Sequence, residues 1–470
     1  MTMPSVTALA PRHRDDTTPV ATLTGFRQDF YGCLGSWSDA LFELTDALLC
    51  APTPVHSVPH LSLEAVFRRG HGSLYKALAR GGVDTDALRR LLVAHRPAGW
   101  PAVFAVDAST WDRCDAETSP ERGFYYHASK HSNGQPIVAG WSYQWISQLS
   151  WAPDSWTAPV DARRIPVHAN TTDATVAQVS DVVSLLDDDG DVPMFVFDAG
   201  YDPIALGHDL ADTRAQVLVR IRDDRVFWTD PEDPDGTVGR PRRHGTRFKC
   251  GDPDSWPAPH GQHTANDPRY GTVTVTAWPD LHPKLGCRGH WIDHDVPPIV
   301  RGTVIRVDAG QDCPRGVEVQ HLPKPTARTK KTLWLWWSGP GTPDLDLCWR
   351  AYLRRFDIEH TYRFAKNTLG WTTLRVATPE QADRWTWLVV AAYTQLRLAR
   401  ELVADLRLPW EKPRDPDKLT PARVRRGFRP LAATIGTPAR PPKSDTPGPG
   451  RPKGTRTGPR TRHPAVKKAA

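Results

Sequence analysis

Two short apolar runs that end at an aspartate are the clearest strand signals in the chain. Residues 103–106 and 194–197 are small, β-branched or aromatic apolar residues, and the runs stop at Asp107 and Asp198. Runs of this length and composition predict buried strands. Each Asp either caps the following turn or lies at a functional edge of a sheet.

Further elements surround these two runs. Residues 123–129, 137–149 and 216–221 predict strands, whereas residues 172–186 and 204–210 predict helices. The order is therefore three strands, a helix, a strand, a helix and a strand. Such an alternation predicts an α/β fold built on one mixed sheet.

The N-terminal region predicts helices only. Apolar residues recur at helical spacing between residues 22 and 50, and shorter helices over residues 60–95 surround a basic turn at Arg68 and Arg69. A small helical domain of this kind is either a helix-turn-helix that binds DNA ends or a cap on the next domain. Spacing alone leaves both alternatives open.

A polar stripe marks residues 343–367, which predict a single helix. At about 100° per residue, Tyr352, Arg355, Glu359 and Lys366 fall within about 60° of one another. In an arbitrary helix this pattern is a solvated face with an i,i+4 ion pair between Arg355 and Glu359. The two strand-end aspartates give the stripe a second interpretation.

Together, these motifs resemble the DDE transposases of insertion-sequence family four. Asp107, Asp198 and Glu359 match the Asp-Asp-Glu triad of that family. Tyr352 and Lys366, with Arg355 and Glu359 between them, match every spacing of its Tyr-Arg-Glu-Lys signature. The resemblance covers roughly residues 100 to 405 and implies a ribonuclease-H-like catalytic domain.

The resemblance also implies a β-rich insertion between Asp198 and Glu359. Residues 231–330 are dense in Pro, Gly and Asp, with short strand-like pieces, and residues 332–337 predict the strand that follows. The expected organisation is a loose leader (1–20), a helical N-terminal domain with possible DNA-end binding (21–98), a catalytic domain (99–230 and 331–408), the insertion (231–330), a C-terminal linker (409–436) and a disordered basic tail (437–470).

The chemistry implied by the resemblance is metal-dependent cleavage of DNA at the ends of a mobile element, followed by strand transfer. Two Mg²⁺ or Mn²⁺ ions suit three carboxylates, because both metals prefer oxygen ligands. In this interpretation Asp107 bridges the ions, while Asp198 and Glu359 each hold one. Implied partners are double-stranded DNA, as terminal inverted repeats and target, and a second copy of the chain in a synaptic homodimer.

Several residues are candidate DNA contacts. Arg355 and Lys366 would grip phosphates beside the cut, and Tyr352 would contact the same backbone. The insertion also carries three tryptophans, and each is either a stacking partner for a displaced base or a packed core residue. These are Trp256, Trp278 and Trp291.

Charge adds a weaker signal for DNA. The net charge is +7, and residues 437–470 hold nine of the 60 basic residues but one of the 53 acidic residues. Arg451 lies there in a Gly-Arg-Pro tripeptide of the kind that follows a narrow minor groove, and Arg240 repeats it in the insertion. Three residues are a weak motif, and chance in a Pro- and Arg-rich segment is the favoured explanation of such matches.

Composition indicates where in the cell the protein works and which classes of protein are excluded. Seven cysteines without a Cys-x-x-Cys argue against a zinc site and for a reduced cytoplasmic protein. The resemblance to the transposases implies that it is associated with the bacterial nucleoid. No apolar segment has the roughly 20 residues that a membrane span needs. Two alternatives to a transposase stay open: a catalytically silent DNA-binding derivative, and a ribonuclease-H-type nuclease without strand transfer.

Overall fold

A computed structural model of the chain describes residues 18–127, 136–188, 190–232, 242–309, 332–443 and 458–466. In this described part, helices precede the first strand. Thr18 caps the first of them by accepting the backbone N–H of Ala21, and Asp84 caps the last by accepting that of Ala87. The helices are α1 (Pro19–Gly32), α2 (Ser38–Cys50), α3 (Val58–Leu61), α4 (His71–Arg80) and α5 (Thr85–Ala94).

The central elements follow the predicted order, with one strand more than predicted. They are β1 (Val103–Asp112), β2 (Gly123–Tyr126), β3 (Ile137–Gln148), β4 (Ala158–Ile165), α6 (Thr171–Val183), β5 (Met194–Phe197), α7 (Pro203–Asp209) and β6 (Gln216–Ile221). The additional strand is β4, which sequence patterning missed because it contains charged residues. Asp161 is fully buried there and pairs with Arg89 and Arg163.

The sheet has a mixed order, as predicted. Its central part runs β4-β3-β1-β5-β6, with β1 antiparallel to β3 and parallel to β5, and β5 parallel to β6. This is the ribonuclease-H-like arrangement of five strands. The prediction of an α/β fold on a mixed sheet is therefore confirmed.

The insertion does not form a separate sheet for most of its length. Strand β7 (Val226–Trp228) lies just before it, the insertion itself holds β8 (Arg247–Lys249), β9 (Gly261–Asp267), β10 (Gly271–Leu281) and β11 (Gly302–Ala309), and the chain returns through β12 (Thr332–Ser338). Strand β12 pairs with β6 on one side and with β11 on the other. The central sheet therefore continues through β12, β11, β10 and β9, while β7 and β8 form a small hairpin.

The C-terminal helices differ from the prediction in two places. They are α8 (Leu345–Arg354), α9 (Asp357–Asn367), α10 (Pro379–Leu398) and α11 (Pro421–Ile435). The single helix predicted over residues 343–367 is two helices, α8 and α9. The predicted linker over residues 409–436 contains α11, whose Val424 and Phe428 are fully buried.

The helical N-terminal region packs on the rest of the molecule. Helix α2 is almost entirely buried and contacts α10 and α11. The basic turn is engaged inside the molecule, since Arg68 and Arg69 both donate to the buried carboxylate of Glu43 at 2.7 Å. They also donate to the backbone carbonyls of Ala439 and Arg440. These contacts favour the cap over the helix-turn-helix alternative.

Part of the tail predicted to be disordered lies against the sheet. The backbone N–H groups of His463 and Val466 donate to the carbonyls of Glu117 and Arg122, and Val466 forms a parallel bridge with Gly123 at the start of β2. The candidates Arg240 and Arg451 lie outside the described residues. Within the described ranges, no helix has the length and apolar character to cross a bilayer.

Candidate active site

Asp107 and Asp198 lie side by side on neighbouring parallel strands. Strand β1 pairs with β5 up to Ala105 and Val196, and continuing this register by two residues sets Asp107 beside Asp198. Side chains alternate along a strand, and Ala105 and Val196 belong to the core that holds the C-terminal helices. Both carboxylates therefore point to the face of the sheet on which α9 packs. The backbone N–H of Gly200 donates to Asp198 Oδ1 at 2.8 Å and fixes its side chain.

The junction of α8 and α9 brings a cation and a third carboxylate to the same face. Arg355 and Phe356 keep right-handed helical dihedrals, but the N–H groups of Ile358 and Glu359 bond three rather than four residues back. This tight turn divides the predicted single helix into two helices. The residues of the stripe nevertheless keep nearly the angular positions expected for one continuous helix. Arg355 Nη1 lies 3.6 Å from Asp107 Oδ1, and its side chain is 12% exposed.

Tyr362 anchors α9 to the strand that carries Asp107. Its hydroxyl donates to the backbone carbonyl of Asp107 at 2.6 Å. Its ring stacks on Trp371 at 5.6 Å and meets Trp145 edge-on at 5.3 Å. Glu359 lies three residues before Tyr362 on the same helix face, within hydrogen-bonding reach of the Asp107 carboxyl.

Burial and crowding dominate the electrostatics of Asp107. The residue is 6% exposed, and burial holds the pKa of its carboxyl well above the usual range. Arg355 opposes this shift, while the charges of Glu359 and Asp198 add to the rise in pKa. A bound cation would relieve this crowding, and carboxylate oxygens are the donors that Mg²⁺ and Mn²⁺ prefer. The residues present therefore fit divalent metal ions.

The three carboxylates do not form one compact set of ligands. Among the described residues, one set of three possible metal ligands has all its atoms within 4.8 Å of one another, and it lies elsewhere, at His208, Asp209 and His290. The charges of Glu359 and Asp198 nevertheless both raise the pKa of the Asp107 carboxyl, so the three carboxylates act on one another.

The other residues of the predicted stripe occupy different surroundings. Tyr352 is 4% exposed, and burial raises the pKa of its hydroxyl, with Arg355 and Arg220 opposing the shift. Tyr352 therefore packs behind the site rather than presenting a free hydroxyl. Lys366 Nζ lies 5.9 Å from the centre of the Trp371 ring. Lys366 also lines a cleft of about 540 Å³ beside the end of β1, together with Arg113.

The three tryptophans predicted as base-stacking candidates are packed side chains. Trp278 and Trp291 are only 4% and 5% exposed. Trp256 is half-buried, packs on Trp278 at 5.5 Å and on Trp334 at 5.4 Å, and donates its indole N–H to the carbonyl of Lys249. The stacking interpretation is wrong for Trp278 and Trp291, because their rings fill the core between the insertion and the sheet.

Sequence reasoning missed a second cleft, beside Asp198, whose lining includes three basic side chains and two aspartates. A cavity of about 640 Å³ runs from Gly200, two residues after Asp198, to a wall that includes Arg222, Arg225 and Trp228. Lys284 lies over the ring of Trp228 with its Nζ 4.3 Å from the ring centre. Trp228 follows strand β6 closely in the chain, and this closeness to a strand of the predicted sheet was the signal that could have identified it. One cleft begins next to Asp198, and the other is lined by Thr110 and Asp112 of β1, the strand that carries Asp107.

Comparisons with known proteins give a family and a distant structural likeness. The profile of the family described as "DDE superfamily endonuclease" matches residues 29–283. No curated protein matches the chain. Among solved structures, the chain is similar to one described as a piggyBac transposase synaptic complex with hairpin DNA, at 10% identity and a TM-score of 0.43, over 89% of this chain and 80% of that one.

Proposed function

Because the chain belongs to the DDE superfamily endonuclease family, we propose that it is a transposase that cuts DNA at the ends of a mobile element and joins them to target DNA. One observation carries this proposal: the Asp107 carboxyl is buried 3.6 Å from Arg355, and burial together with the charges of Glu359 and Asp198 raises its pKa. Carboxylates crowded in this way are built for a cationic partner.

The three carboxylates would hold the metal ions. Asp107 would contribute to both ions, with Asp198 and Glu359 completing one site each. When bound, the ions would activate the attacking water and neutralise charge on the leaving oxygen. Arg355 would neutralise part of the charge on Asp107 and orient its carboxylate. Tyr362 would hold α9, and with it Glu359, against β1.

DNA would lie across the carboxylates from one cleft to the other. Lys366 lines one cleft, and Arg222, Arg225 and Lys284 line the other. Cations on both sides of the cutting site would hold the phosphates on either side of the scissile bond. Trp228, half-buried in the second cleft, offers a face to an unstacked base in place of the three tryptophans chosen from sequence.

The finer assignment is to the insertion-sequence family four, supported by the Tyr-Arg-Glu-Lys spacing from Tyr352 to Lys366. Its partners would be terminal inverted repeats and target DNA, and two copies of the chain would hold the paired ends in a synaptic complex. A cytoplasmic enzyme associated with nucleoid DNA fits the free thiols of the six described cysteines.

The test is a cleavage and joining assay with duplex DNA that carries the element's own ends, in the presence of Mg²⁺. Release of a 3′ end and its joining to target DNA are expected. Asp107→Ala, Asp198→Ala and Glu359→Ala should abolish both steps while a gel shift still shows end binding. Asp212→Ala, which removes an exposed carboxylate beyond α7, is the control and should cut normally.

Each outcome of this assay points to one function. Cleavage without joining would identify a nuclease and contradict strand transfer. Binding without cleavage by the unaltered chain would identify a silent derivative. Normal cutting by any of the three carboxylate variants would contradict the assignment of the site.

A further inference from the structure

A second group of metal-binding side chains lies at the far end of α7. Asp202 caps the start of this helix, near Asp198, whereas His208 and Asp209 lie at its end. They meet His290, which comes from the segment between β10 and β11 of the insertion. The three ligand atoms lie within 4.8 Å of one another, and none of the three side chains is fully buried. The group therefore joins the catalytic sheet to the insertion.

The distances within this group are those of hydrogen bonds and are close to the spacing of ligands around one ion. His208 Nδ1 lies 2.8 Å from Asp209 Oδ1, and His290 Nε2 lies 3.2 Å from Asp209 Oδ2. Ligand atoms about 2.0–2.1 Å from a tetrahedral zinc ion lie about 3.3–3.4 Å apart. The three side chains can therefore close around one ion with small rotations.

A buried indole holds the two imidazoles in place. The ring of His208 meets Trp291 edge-on at 5.1 Å, and the ring of His290 meets it at 4.7 Å. Trp291 is 5% exposed, so it is a fixed surface against which both rings pack. His294 lies on the same indole at 5.7 Å and offers a third imidazole as a fourth ligand. Orienting the ligands in advance lowers the ordering cost of binding an ion.

We propose that His208, Asp209 and His290 bind a structural zinc ion that fastens the insertion to the catalytic sheet. Two imidazoles and one carboxylate favour zinc over Mg²⁺, which prefers oxygen ligands alone. Histidines rather than cysteines supply the ligands, so the absence of a Cys-x-x-Cys does not exclude this site. The segment between β10 and β11 contains a single 3-10 turn, Gly289–Trp291, as regular structure. A metal clip would supply the constraint that backbone pairing does not.

The fastened segment borders the cleft beside Asp198. Pro283 and Lys284 line that cleft, and they lie at the start of the segment that carries His290. A zinc ion would therefore fix one wall of the cleft without touching the reacting atoms. The site is independent of the proposed catalytic ions, so either proposal can fail while the other stands.

The experiment uses the full chain, purified without a histidine tag and dialysed against a buffer that contains Mg²⁺ but no transition metals. Elemental analysis should find about one zinc ion per chain, the number that one tetrahedral site binds. His290→Gln should lose it. His260→Gln, which changes an exposed histidine of the same insertion, should keep it. Asp107→Ala should also keep it, which would separate this ion from the carboxylate site.

Thermal unfolding supplies the second measurement. A zinc-selective chelator should lower the melting temperature of the unaltered chain and of the His260 control by several degrees, because an ion bound to the folded state stabilises it. It should leave His290→Gln unchanged. If His290→Gln does not fold, Asp209→Asn takes its place. An unaltered chain that neither retains zinc nor is stabilised by added zinc would overturn the proposal, as would a folded His290→Gln that retains it.

Discussion

Tyr362→Phe removes one hydroxyl and tests whether the anchor of α9 sets the position of Glu359. The hydroxyl donates to the Asp107 carbonyl at 2.6 Å, and the side chain is 3% exposed. Loss of a buried hydrogen bond costs about 0.5–1.5 kcal/mol of stability, and about 1–3 kcal/mol if the acceptor finds no new donor. The ring and its contacts with Trp145 and Trp371 remain, so the fold should persist.

The expected effect on cleavage is larger than the effect on stability. Without the hydroxyl, α9 can move relative to β1, and a misplacement of about 1 Å costs on the order of 10²-fold in rate. We expect a cleavage rate reduced about 10-fold to 100-fold by the same argument, with more Mg²⁺ needed for half-maximal activity. Single-turnover cleavage of pre-bound DNA across a Mg²⁺ series measures both quantities.

Tyr143→Phe is the matched control. Tyr143 is 1% exposed, and its hydroxyl also donates at 2.6 Å, but to Asp383 on α10. This variant should lose comparable stability and cut DNA at a near-normal rate. If Tyr362→Phe loses stability yet keeps the rate and the Mg²⁺ dependence of the unaltered chain, the anchor does not position Glu359.

Three further predictions concern charge. In EDTA, Asp107→Asn should become more stable relative to the unaltered chain as pH rises from 5 to 8, and melting temperatures at the two pH values check this. Because the pKa of Asp107 is raised, the folded chain binds this proton more tightly than the unfolded chain does, so the unaltered chain loses stability as pH rises. Lys366→Ala should weaken end processing by about 1.5–3 kcal/mol without changing the Mg²⁺ titration, whereas a shifted titration would assign Lys366 to the metal site. Ending the chain at Lys443 keeps the contacts of Arg68 and Arg69 and removes seven basic residues. If about four of them engage phosphates, the slope of log affinity against log salt should flatten by about 3.6, and an unchanged slope would show that they do not.

Local patterning predicted the parts of the site that lie on single elements. Asp198 directly follows the end of β5, as its apolar run predicted, whereas Asp107 lies in the middle of β1, which continues to Asp112. The turn at Arg355 stays helical, which keeps Arg355 and Glu359 near Asp107. Patterning cannot show partners that come from distant parts of the chain. Asp161 made β4 look polar, although Arg89 and Arg163 compensate its charge.

The same limit explains the tryptophans and the second metal group. A tryptophan in a Pro-rich stretch looks exposed until its neighbours are known, and Trp278 is buried by Phe248 and Trp334 from other strands. His290 and Asp209 are 81 residues apart and belong to no common motif. Their proximity depends on how the insertion folds back onto α7, and no local periodicity encodes that path.

The position of β12 between β6 and β11 has a consequence for the order of folding. Glu359 comes after β12 and α8 in the chain, so the carboxylate that completes the site is synthesised after the whole insertion. A nascent chain that ends before β12 leaves the edge of β6 unpaired and lacks Glu359. Pairing across so long a loop is slow, because the loop must close before its contacts form. We therefore expect incomplete chains to be inert towards DNA and prone to aggregate, so that cutting activity appears only once synthesis has passed α9.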